Sequence, residues 1–302
     1  MFKKILCATD TSTACDLAVK TAFELSHKYS SELILLRVDP EVSSESCRFV
    51  PDMPASNKTS PGPDYLAWVK KKCMKTGDGD LDIKSPAPLY TVLEGEPSEE
   101  ILKVASVNNV DCIIMGAHGR ENDLAGTDVR RTVGKTLQTV AQKARCPVLS
   151  IARSCETSFW YFNQIVFGTD FSTASMSAFQ YAYKLADYIG CKLHIFHALA
   201  LGPSHTKAIP SQRQIEDQID EAKVRIEEQY VSQMHNFDNY TIAVWEGRPS
   251  VEILKFARET SGDLIVMAHH SRAYTSDAIA FGHTIEQVVL RSACPVISVN
   301  CH

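Results

Sequence analysis

The sequence predicts an α/β protein built as two tandem doubly wound domains, each a five-stranded parallel sheet flanked by helices. Three observations carry that reading. The chain repeats itself. Short apolar runs alternate with amphipathic stretches in each copy. The apolar runs lack the polar alternation of a half-solvated strand, as expected where helices cover both faces of a sheet.

The repeat is visible before any element is assigned. Lys3 to Val38 (KKILCATDTSTACDLAVKTAFELSHKYSSELILLRV) matches Asn163 to Ala198 (NQIVFGTDFSTASMSAFQYAYKLADYIGCKLHIFHA). Tyr90 to Ala105 (YTVLEGEPSEEILKVA) matches Ile242 to Ala257 (IAVWEGRPSVEILKFA), and CPVLSI from Cys146 matches CPVISV from Cys294. The offset falls from 160 residues at Asp10/Asp170 to 152 at Gly95/Gly247 and 148 at Cys146/Cys294. Order is kept and the drift lies in loops, as in a duplicated domain. The expected domains are 1–153 and 163–302, with the boundary in the polar and aromatic segment Arg153 to Phe162.

In the first copy a strand is expected over 3–9, then an amphipathic helix over 13–28 capped by Thr11 or Ser12. Its apolar face is Leu17, Ala18, Thr21, Ala22 and Leu25, at spacings of three and four. A second strand spans Leu33 to Val38. Ser, Pro and charged residues from Asp39 to Pro63 predict a long loop, followed by a helix over 64–76 and a strand over 88–93. In EGEPSEE, Pro97 opens a helix that places Glu99 and Glu100 in its dipole-favoured first turn. The second copy repeats this order with a longer second helix, 210–235, carrying Ile215, Ile219, Ala222 and Ile226 on one face.

The first copy closes with Asp111 to Ile151: a buried strand from Cys112 to Met115, a loop bearing Gly116, Gly119 and Gly126, a helix opening near Gly134, and a strand from Pro147. Strand, glycine loop and helix N-terminus present backbone N–H groups to an anion. In a doubly wound sheet the ligand lies outside the carboxyl ends of the strands. The residues to watch are therefore Asp10, Val38, Gly95, Gly116 to Gly119 and Gly134.

Composition narrows the function. Charged residues make up 22% of 302 residues and the net charge is −5, so no polycationic surface points to nucleic acid. The N-terminal apolar run ends at Asp10 and no run of eighteen apolar residues occurs, so a soluble, cytoplasmic protein without a membrane span is expected. The ten cysteines show no CxxC and are expected to be reduced, with Cys301 the accessible one.

The Asp after the first strand (ATD, GTD), the EGxPxxEIL turn, the DxIxMxxH string and the closing helix–CPV–strand together resemble the universal stress protein family. The resemblance covers both copies and identifies a tandem type. It implies an adenine nucleotide alpha hydrolase-like fold, and members whose dimers pair through the last strand. A tandem chain can form that pairing internally, through 147–151 and 295–299, or as a homodimer. ATP-binding members carry Gly, two residues, Gly, nine residues, Gly, then Ser or Thr.

The first copy keeps Gly116 and Gly119. Counting back from the CPV turn fixes the third glycine as Gly134, so fourteen residues intervene where nine are expected, and Lys135 stands at the Ser/Thr position with Thr136 one later. The resemblance implies ATP or AMP, with Mg²⁺, in the N-terminal domain, contacted by Asp10, Val38, Gly116, Gly119, Arg120, Gly134, Lys135 and Thr136. Arg130 and Arg131 would add charge. In the second copy Ala268 and Ser271 replace the two glycines and His283 follows Gly282, so that copy is expected to serve as a structural partner.

Gly134-Lys135-Thr136 is not a P-loop, because Val129 stands where that motif needs glycine. His269, His270 and His283 near Asp170 are metal-ligating types, but adjacent histidines on an extended segment point to opposite sides, so no metal is expected. No GxSxG elbow occurs. No catalytic residue is assigned. The expected function is a stress-response binding and signalling module; slow ATP hydrolysis and a nucleotide-independent interaction scaffold are the alternatives left open.

Overall fold

Ile5, Leu6 and Cys7 are fully buried in β1 (Lys4–Ala8), as a strand covered on both faces requires. In the computed structural model, residues 1–12, 15–39, 88–117, 133–152, 162–200, 211–269 and 282–301 are described. The chain divides into two compact units, unit 1, Met1–Trp160, and unit 2, Tyr161–His302.

Unit 1 runs β1, α1 (Asp16–Tyr29), β2 (Glu32–Asp39), β3 (Leu89–Glu94), α2 (Pro97–Val107), β4 (Cys112–Gly116), α3 (Lys135–Lys143) and β5 (Val148–Ile151). The strands pair in parallel in the order β3-β2-β1-β4-β5. The chain thus steps outward from β1 to β3, then returns to the other side of β1. That reversal sets the switch point between β1 and β4. The expected helix over 64–76 lies outside the described residues.

Unit 2 repeats the plan with β6 (Gln164–Thr169), α4 (Thr173–Ile189), β7 (Lys192–Leu199), α5 (Gln212–Gln229), β8 (Tyr240–Glu246), α6 (Pro249–Glu259), β9 (Leu264–Ala268), α7 (His283–Arg291) and β10 (Val296–Val299). Its parallel order is β8-β7-β6-β9-β10, with the switch between β6 and β9.

Two signature strings turn out to hold backbone rather than ligand. Asp111, the first residue of DxIxM, accepts the N–H groups of Lys3 and Lys4 on one carboxylate oxygen, both at 2.8 Å. Asp263 accepts the N–H of Asn163 on Oδ2 at 2.6 Å and that of Gln164 on Oδ1 at 3.2 Å. Each aspartate ties the start of one strand to its neighbour at the amino end of the sheet. In the EGxP turn, Gly95 and Gly247 sit at φ 144° and 142°, a region that favours glycine. Their N–H groups donate to Asp39 O and Leu199 O at 3.0 Å, closing the turn against the preceding strand.

Helix boundaries depart from expectation where side chains find other partners. Neither Thr11 nor Ser12 caps α1; Cys15 is its N-cap and makes no side-chain cap bond. Ser12 Oγ instead donates to Asp10 Oδ1 at 2.6 Å. In unit 2 Ser175 stands where unit 1 has Cys15, and its hydroxyl takes the matching carboxylate oxygen of Asp170 at 2.6 Å. Ser172 Oγ is then left to accept from Ser175 N–H and cap α4. The long helix of unit 2 stops at Gln229, short of the expected 235, and only Ala222 and Ile226 of its apolar stripe are buried.

Candidate functional site

The candidate site lies at the carboxyl ends of β1, β2 and β4. Ala8 pairs with Leu36 and with Met115, so Val38 lies level with Asp10, and Gly116 ends the strand on the other side. Gly116 is itself the last residue of β4, paired with Ile151. Beyond it, Ala117 N–H donates to Ile151 O at 2.9 Å, and Ala117 O accepts Gly134 N–H at 3.1 Å. That second bond seats the start of α3 beside the end of β4, whatever path the chain takes between them.

Gly134 is the N-cap of α3 and supplies no side-chain cap, so the N–H groups of its first turn, from Lys135 onward, depend on an outside acceptor. Lys135 is exposed and Thr136 half-buried. A lysine at the first helical position works against the helix dipole unless an anion stands between them. Six of the eight expected site residues (Asp10, Val38, Gly116, Gly134, Lys135, Thr136) are therefore placed around one mouth. Gly119 and Arg120 lie outside the described residues, as do Arg130 and Arg131.

The turn after β1 contributes groups that sequence reasoning missed. Thr9 Oγ1 accepts Thr11 N–H at 3.0 Å, and Asp10 Oδ1 accepts Ser12 N–H at 2.9 Å, which holds Thr11 at φ 64°. Cys15, buried behind the turn, has its thiol pushed up to about 12, first by burial and then by the charge of Asp10. At the end of β2, Arg37 turns to Asp39, with Nη2 at 2.7 Å from Oδ1. The signal that finds the turn is the Thr-Asp-x-Ser string common to both copies.

In unit 2 the same turn recurs at Thr169 to Ser172, with Phe171 at φ 61°. Ala268 ends β9 in place of glycine, and Gly282 is the N-cap of α7. His269 is buried and bonds Val299 O through its N–H, the position Ala117 holds in unit 1, while His283 is exposed. His270 and Ser271 lie outside the described residues. Among the described residues no three His, Cys, Asp or Glu side chains gather as a metal ion would require, and no helix is long and apolar enough to cross a membrane. Seven described cysteines are free thiols, and of these Cys301 is exposed.

Two parallel α/β units, each with a Thr-Asp turn after its first strand and a glycine N-cap on the helix following its fourth, define a duplicated doubly wound protein. The chain belongs to the universal stress protein family, which it matches over residues 1–151 and 162–300. It is 27% identical over 170 residues to universal stress protein MJ0577 of Methanocaldococcus jannaschii, an alignment covering 51% of this chain and 96% of that one. Among solved structures it is similar to a universal stress protein from Archaeoglobus fulgidus, with a TM-score of 0.58 at 18% identity over 98% of this chain and 96% of that one. A functionally unknown protein, PA1789, from Pseudomonas aeruginosa gives a TM-score of 0.60 at 16% identity over 99% and 92%. At such identities the structural likeness speaks for the fold.

Proposed function

We propose that unit 1 binds ATP or AMP and that the protein is a non-catalytic binding and signalling module of the stress response. The observation that carries this reading is the Gly134 N–H to Ala117 O bond, which brings an α-helix start without a side-chain cap to the end of β4 at the switch point. Phosphate oxygens there would accept the first-turn N–H groups and neutralise Lys135. Val38 and the turn at Asp10 would border the nucleoside. Gly116, with no Cβ, leaves the phosphate chain room to approach the backbone.

Mg²⁺ is commonly held by phosphates together with one or two carboxylates. Asp10 is the carboxylate that the described residues place at this mouth, so its carboxyl group would be the protein's contribution.

Calorimetric titration with ATP and Mg²⁺ tests the reading. The whole protein is expected to bind nucleotide, and Gly116→Trp to lose that binding, because the indole would occupy the phosphate approach. No heat with the wild type at millimolar ATP sinks the proposal. Release of inorganic phosphate by the bound complex would transfer the site to slow ATP hydrolysis.

A further inference from the structure

The mouth of unit 2 is packed with aromatic side chains where the described residues of unit 1 carry others. Phe171 is an aromatic residue in the left-handed region, φ 61°, where bulky side chains are outliers. Its ring centroid lies 4.4 Å from that of His197 on β7 and 6.3 Å from that of Tyr230, stacked on the latter at 16°. The guanidinium carbon of Arg225, on α5, is 4.4 Å from the centre of the same ring.

Thr169, the last residue of β6, binds the group together. Its Oγ1 accepts Phe171 N–H at 2.9 Å and shares a 2.6 Å bond with the Tyr230 hydroxyl, and its carbonyl accepts from His197 Nδ1 at 2.9 Å. Because a carbonyl can only accept, His197 carries its proton on Nδ1. Tyr230 is fully buried, closed in from behind by Phe179 at 4.8 Å and Phe167 at 5.5 Å.

The counterparts in unit 1 are Thr11 for Phe171 and Arg37 for His197. Thr11 Oγ1 turns back to donate to Asp10 O at 2.6 Å, and Arg37 turns to Asp39. Phe171 is thus the residue that fills, from within, the place beside the first and second strand ends.

We infer that Phe171, held between Arg225, His197 and Tyr230, is an internal occupant of the nucleoside crevice of unit 2, so that the second copy is closed to adenine nucleotides by its own aromatic ring. The inference rests on the reading of unit 1 for where a nucleoside sits. A flat ring with a cation over it and an aromatic stacked on it makes the contacts that a bound base would make. The tethered ring also competes at a high effective concentration and has already lost its freedom, whereas a free base must still lose its own.

The test uses the full chain and AMP as the probe, in a Gly116→Trp background where the proposed unit 1 site is shut. That protein is expected to bind no AMP. Adding Phe171→Thr and Arg225→Ala, the first being the unit 1 residue, is expected to create one AMP site per chain. It should also speed modification of His197 by diethyl pyrocarbonate, located by mass spectrometry. If the double change unfolds the protein, Phe171→Leu, which keeps an apolar side chain against Tyr230, is expected to give both effects in weaker form.

A folded opened variant that gains neither AMP binding nor His197 reactivity overturns the inference. Two AMP per wild-type chain overturns it too, while leaving the reading of unit 1 intact. A wild type that binds none, beside an opened variant that binds one, sinks the reading of unit 1 and keeps this one.

Discussion

Lowering the pH from 7 to 5 puts a calculable load on His194. This residue lies in β7 of unit 2 and is 4% exposed. Its Nδ1 is 2.6 Å from Thr241 Oγ1 and its Nε2 2.7 Å from Gln164 Oε1, so one ring bridges three neighbouring strands, β6, β7 and β8. Phe256 of α6 packs edge-on against it at 5.7 Å. Burial, and secondarily the charge of Lys192, pushes its pKa down from 6.5 to about 4.

The sign follows from where the proton binds. Below pH 6.5 the unfolded chain takes up a proton that the folded chain refuses until about pH 4, so folding stability is lost as pH falls through that window. The complete loss is roughly 3 kcal/mol at 1.36 kcal/mol per pKa unit. Between pH 7 and pH 5 it amounts to about 2 kcal/mol. Urea denaturation of wild type and His194→Gln at both pH values isolates the term: the variant is expected to be less stable at pH 7 but to lose about 2 kcal/mol less on acidification. An identical pH slope in the two proteins, or an imidazole NMR titration of His194 near 6.5 in the folded state, refutes the reasoning.

Further expectations come from the backbone. Asp111→Ala strips the acceptor from two N–H groups at the start of β1 and is expected to cost about 1–3 kcal/mol in denaturant titration, with Asp263→Ala matching it in unit 2. Gly95→Ala forces a Cβ onto φ 144° and within 3.2 Å of Glu100 Cγ, and Gly247→Ala brings one within 2.7 Å of Glu252 Cγ. Both are expected to destabilise by about 1–3 kcal/mol, Gly247→Ala the more, as read from thermal melts. Among the described cysteines, Cys301 is expected to react first with a thiol reagent under native conditions. Cys15 and Cys112, whose thiols burial pushes up, react only on unfolding, as mass spectrometry of labelled peptides would show.

The duplication, the parallel α/β plan and the position of the mouth were legible because their signals are local. Apolar runs at Ile5 to Cys7 and Ile113 to Met115 announce buried strands within a few residues, and Pro97 after Gly95 announces a helix start in the same way. The candidate site was legible as a set of positions: Asp10, Val38, Gly116 and Gly134 each follow or close an element that the pattern had located. What each position does was less legible. Ser12 read as a helix cap and proved to hold the Asp10 carboxylate, because a cap and an Asx-type turn use the same residue in the same place.

Asp111 and Phe171 mark the line between what the sequence determined and what tertiary structure decided. Written twice in the chain, the order of strand, helix and glycine loop was enough to fix two doubly wound units and the family to which they belong. Asp111 grips backbone 107 and 108 residues away, and a hydrogen bond over that distance leaves no periodicity in the chain between its ends. In the sequence Phe171 stands where the first copy has Thr11, among many other aromatic residues of the second copy. Only the left-handed turn after β6, and the approach of Arg225 and Tyr230 at the end of α5, bring its ring over the mouth of the sheet.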